Sequence, residues 1–155
     1  MGNLDRNLIR IDVRWDNEDN VRNRFNSIIQ MIKFNNQVPI EVLERFKLVK
    51  RLLEFSIYEY EFMDLALERA ILTFEMALRI KYQRKTGDTK IICLKKLYEW
   101  AEKDGLKITH KNKLEALRQL RNNVCAHPKT NTIFGIMNLK SIVKIVEFIN
   151  KIFEE

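Results

Sequence analysis

The sequence predicts an all-α helical bundle, and three observations carry that prediction. Apolar residues recur at three- and four-residue spacing through six separate stretches, as they do in helices with one buried face. Four glycines and two prolines in 155 residues leave little material for turns, so the elements must be few and long. Only one short stretch alternates with a period of two. Hydrophobic residues make up 46% and charged residues 32%, which fits a globular chain and argues against global disorder. The length suits a single domain, 1–155, with a sizeable core.

The alternating stretch comes first. Ile9, Ile11, Val13 and Trp15 fall on one side, with Arg10, Asp12 and Arg14 on the other. Two readings stand: a short strand or extended arm, or the fraying first turn of a helix. Isolated strands are unstable, so an arm has to lie on the helical body or pair with another chain. Residues 16–19 then supply an N-cap and first-turn acids for a helix reaching about Phe34, with Val21, Phe25, Ile28, Ile29 and Ile32 as its stripe. Asn35, Asn36 and Gln37 break it, and Pro39 sits where the next helix starts. Val42, Leu43, Phe46, Val49, Leu52 and Leu53 carry that helix into an aromatic stretch, where it either bends or breaks. The aromatics there, Phe55, Tyr58, Tyr60 and Phe62, are expected to pack in the core.

A longer helix over about 64–84 follows, with Leu67, Ile71, Phe74 and Leu78 inward and Leu65, Leu72 and Met76 widening the face. Glu75 and Arg79, one turn apart, are placed to pair. Residues 86–88 make a turn, and a shorter helix over about 93–104 turns Leu94, Leu97 and Trp100 inward before Gly105 caps it. The next helix runs from about Lys111, with Leu114, Leu117, Leu120 and Val124 inward. After a loop over 128–137 that holds Gly135, Asn138 is expected to cap a final helix. Its stripe is Leu139, Ile142, Val143, Val146, Ile149 and Phe153. Residues 1–60 read as an N-terminal elaboration on a four-helix core of about 61–153.

The chemistry is narrower. A net charge of +7 is compatible with a polyanionic partner without requiring one. There is no glycine-rich phosphate loop and no CxxC pair. Cys93, Cys125 and His127 fall one ligand short of a zinc site, and His110 is the only other histidine, so neither metal nor cofactor is expected. With no leader evident in MGNLDRNLIR and no apolar run of bilayer-spanning length, the two cysteines read as reduced thiols and the chain as cytoplasmic. The carboxylates read as solvated helix faces.

One stretch stands apart, LRQLRNNVCAHP over residues 117–128. It closes an amphipathic helix with Arg121, Asn122 and then His127 and Pro128. Six residues of ideal helix put His127 about 240° around from Arg121, on a different face. Proline disfavours helix in the residue before it, so Pro128 lets His127 swing back toward Arg121. An arginine beside a histidine suits a phosphate: guanidinium grips oxygens bidentately, and imidazole moves protons near neutral pH. From spacing alone, a helix-capping arginine and a turn histidine are the simpler and preferred description of the same residues.

This motif resembles the signature of the HEPN superfamily (higher eukaryotes and prokaryotes nucleotide-binding domains). That signature is an arginine, a polar residue and, a few residues on, a histidine near the end of a late bundle helix. The E-x-A-L-R context at Glu75 is similar to the acidic position on the family's earlier core helix, and the likeness spans about 61–153. The resemblance implies a homodimer in which two motifs face one cleft. It also implies a metal-independent endoribonuclease of the kind found in toxin–antitoxin and phage-defence systems. In that role Arg121 and His127, with Asn122, are catalytic and Glu75 supports Arg121. Lys113, Arg118 and Lys129 would add phosphate contacts from nearby. The alternative the resemblance leaves is a non-catalytic bundle that binds a nucleotide or a protein partner, an antitoxin or a nucleotidyltransferase.

Overall fold

The computed structural model describes residues 10–15, 17–103, 111–122 and 136–154. They form six helices and no strand: α1 (Glu18–Met31), α2 (Ile40–Phe55), α3 (Phe62–Thr86), α4 (Leu94–Lys103), α5 (Lys111–Arg121) and α6 (Ile136–Phe153). The architecture is an all-α helical bundle.

The bundle is organised around α3. Its 25 residues bury Met63, Ala66, Leu67, Ala70, Ile71, Phe74, Ala77 and Leu78 on several faces at once. A helix apolar on one side only belongs at a surface; this one packs against α2 and α6 most extensively and against α4 and α5 as well. The alanines let those neighbours approach closely, and each larger side chain fully buried contributes about 1.5–3 kcal/mol. The helix stops at Gly87, whose φ of 69° is the left-handed geometry a C-cap requires, and whose N–H donates to the Gln83 carbonyl at 2.9 Å.

α2 lays Val42, Phe46, Val49 and Leu53 on α3 with essentially no exposure. These residues share one continuous core with Leu139, Ile142, Ile145 and Ile149 of α6. The first half of the chain thus supplies one wall of the bundle. The segment between α1 and α2 is pinned to α6: Asn150 accepts from the Asn35 N–H at 2.9 Å and donates to the Lys33 carbonyl at 2.9 Å.

The α2–α3 boundary is a true break. α2 ends at Phe55, where the buried Ser56 turns its hydroxyl onto the Leu53 carbonyl at 2.6 Å. The aromatics around the break do not all enter the core as the sequence suggested. Phe55 is 53% exposed, and Tyr58, Tyr60 and Phe62 are half-buried, because the turn over 56–61 carries them to the rim. What covers the break is the segment at 10–15, an arm lying on the helical body and neither a strand nor a helix turn; Ile9 lies outside the described residues. Its Asp12 N–H donates to the Ile57 carbonyl at 3.0 Å, and the Trp15 indole donates to the Ser56 carbonyl at 3.2 Å. A turn closed by the Trp15 N–H on the Asp12 carbonyl reverses the chain, so Trp15 is buried while Val13 is almost fully exposed.

Of two capping expectations, one holds and one moves: the α1 cap falls within residues 16–19, and Asn138 is not the cap of α6. α1 is capped by Asn17, whose side chain accepts from the Asp19 and Asn20 amides, and Asp16 lies outside the described residues. α6 starts two residues before Asn138, so Asn138 does not cap it. Instead its side chain is buried and donates to the Asp64 carboxylate in the first turn of α3. Burial raises the Asp64 carboxyl above its ordinary range, and the Asn138 hydrogen bond opposes that shift. Gly105, Val124 and Gly135 lie outside the described residues.

Candidate functional site

Glu75 sits midway along α3, on the side that α5 approaches, and is only 8% exposed. A carboxylate at that depth needs a cation. Arg121, at the end of α5, supplies it: its Nε stands 3.3 Å from Glu75 Oε1. The two atoms are close without being aligned, and neither completes a hydrogen bond among the described residues, so the attraction is ionic. Burial pushes the Glu75 carboxyl up, while Arg121 and then Arg79 pull it down.

The sequence placed Arg79 one turn from Glu75 as its ion-pair partner. The Arg79 guanidinium instead donates from Nη1 to the Ile92 carbonyl at 2.8 Å, tying α3 to the connection before α4. It acts on Glu75 through space. Two guanidiniums therefore flank one buried carboxylate, and the closer comes from the motif helix.

Arg121 keeps part of its fork in solvent, with its side chain about 30% exposed. Nη1 lies 3.5 Å from Asn122 Oδ1, at the outer limit of a hydrogen bond, and Nη2 has no partner among the described residues. Helix phase explains the position. Arg121 follows Leu117, which is buried, by one turn, so the arginine rides the edge of the same apolar stripe. Its stem lies along that edge and its head reaches the α3 carboxylate. What remains is a cationic fork held on one side by a buried carboxylate and partly exposed, and a guanidinium of this kind has the geometry to grip a phosphoryl group.

Arg118 is engaged elsewhere. Its Nε and Nη2 donate to the two Glu115 oxygens at 2.8 and 2.7 Å, one turn back on α5. That bidentate pair makes it a weaker phosphate ligand than its charge alone suggests. His127, Pro128 and Lys129 lie outside the described residues, as does the Lys113 side chain. Cys93 is exposed, and Cys125 and His110 also lie outside the described residues.

Comparison with family models, curated proteins and solved structures found no match.

A second ionic cluster gave no signal in the sequence. Asp12, Glu59 and Glu61 bring carboxylate oxygens within 4.8 Å of one another. Arg14 already fills the space between them. It chelates Asp12, contacts Glu61 through Nη1 at 2.7 Å and lies 3.8 Å from Glu59. Its guanidinium also stacks 4.4 Å from the centre of the Tyr60 ring. The arrangement fastens the arm to the α2–α3 break.

Proposed function

We propose that this chain is a metal-independent endoribonuclease of HEPN type, acting as a toxin or defence effector in the cytoplasm. The observation that carries the reading is the Glu75–Arg121 pair. It supports the reading because it ties a partly exposed arginine fork at the C-terminal end of the motif helix to the central helix of an all-α bundle.

RNA brings its own nucleophile, the 2′-OH beside the scissile phosphate. His127 takes that proton or gives one to the departing 5′-oxygen, and a second copy of the chain supplies His127 for the other role. Arg121 stabilises the charge that grows on the non-bridging phosphate oxygens, where a donor is most effective. Glu75 holds the guanidinium in register, and Asn122 orients the phosphate or the histidine. The products are a 2′,3′-cyclic phosphate and a 5′-OH.

Purified protein incubated with single-stranded RNA in EDTA tests this. Cleavage should persist in the chelator and disappear in Arg121→Ala and in His127→Ala. Light scattering should give twice the chain mass at micromolar concentration. RNA binding without cleavage in the wild type would favour the non-catalytic alternative, in which the same fork holds a nucleotide phosphate for a nucleotidyltransferase or antitoxin partner.

A further inference from the structure

A second surface lies away from Arg121, in the crease between α1 and α6. It is a groove of about 600 Å³. Its floor is apolar: Ile28 and Val143 are half-buried, and Met31 is 61% exposed. Methionine on an open surface gives a soft, adaptable contact for an apolar anchor. The rim is basic. Lys144 is neutralised by Glu147 at 2.8 Å, whereas Arg24 and Lys140 have no ion-pair partner among the described residues. The α6 wall from Leu139 to Glu147 is about 12 Å long at 1.5 Å per residue, room for two helical turns of a ligand.

The geometry points to this groove as the docking site for an amphipathic helix with acidic flanks, presented by a partner protein. A groove walled by two helices and floored by aliphatic side chains takes anchors spaced i, i+4 and i+7 from a third helix. An extended peptide has no sheet edge here to extend. Nucleic acid is disfavoured, because Arg24 and Lys140 meet phosphates only at the rim and a polyanion would leave the apolar floor of Ile28, Met31 and Val143 unmatched. Acidic flanks meet Arg24 and Lys140, and basic flanks meet repulsion. The site shares no residue with the Arg121–Glu75 pair, so it stands independently of the ribonuclease reading.

A display library of helical peptides, randomised at surface positions and selected on the whole protein, tests this. Selected peptides should carry apolar residues at i, i+4 and i+7 with Asp or Glu beside them. Met31→Asp or Lys140→Glu should weaken their binding about tenfold, as expected for one interface anchor or charge. Met31 and Lys140 are exposed, and circular dichroism confirms that each variant is folded. Failure to select binders, enrichment of basic flanks, or affinity unchanged in both variants would overturn the proposal. Displacement of the peptides by a short RNA at moderate salt would do the same.

Discussion

Arg121 and Glu75 come from different helices and meet at 3.3 Å between Nε and Oε1, on the side of α3 that α5 covers. Partial burial makes the pair consequential, because a carboxylate 8% exposed has little water to turn to when its cation is removed. Arg121→Ala should therefore cost about 2 kcal/mol of stability, with Arg79 limiting the loss. Glu75→Gln in the same background should recover most of it. Urea unfolding of the two single variants and the double variant checks this, and additive losses would show that the residues are not coupled.

The pH dependence follows with a definite sign. Burial raises the Glu75 carboxyl above its ordinary value of 4.5, so its favourable contribution is full below that value and is lost as pH rises through the folded one. Without Arg121 the folded value climbs further. Arg121→Ala should consequently lose more stability between pH 5 and pH 8 than the wild type, measured as the urea midpoint at each pH.

The arm behaves in the opposite way. Arg14 holds Glu61 down to about 2 and Asp12 well below the usual carboxylate range. Depressed groups contribute stability above their unfolded values, and that stability is lost as pH falls through the folded ones. Between about pH 4.5 and pH 2 the arm should detach. Trp15 fluorescence in a Trp100→Phe background should shift toward that of exposed indole in this window, and at higher pH in Arg14→Gln.

Trp15 itself is the arm's anchor, 5.4 Å from the Phe25 ring and 5.0 Å from Tyr60 between centroids. Trp15→Ala should cost about 3 kcal/mol, as removal of a buried aromatic does. Val13→Ala, at a fully solvated position of the same arm, should cost almost nothing. Thermal denaturation of both variants separates the contributions.

Much of the bundle was legible because burial leaves a period in the sequence. The stripe of α2 and the positions of Leu97 and Leu117 follow from spacing alone. What resisted were features that depend on distant neighbours. Asn138 has the chemistry of a cap, yet it faces Asp64 across the bundle, a contact that no local rule reveals. Val13 and Trp15 share a parity, and a single turn between Asp12 and Trp15 undoes it. Glu75 and Arg121 carried a motif-level hint, whereas Arg79 chose a backbone carbonyl over the carboxylate one turn away. Arg14 gave no warning, since its three acidic partners only converge once the α2–α3 break has formed.

The most direct test of the central claim is single-turnover cleavage of a single-stranded RNA in EDTA by wild type, Arg121→Ala and His127→Ala. The account predicts cleavage by the wild type to 2′,3′-cyclic phosphate ends, and a loss of about 100-fold or more in each variant. Cleavage undiminished in either variant, or absent from the wild type, would contradict it.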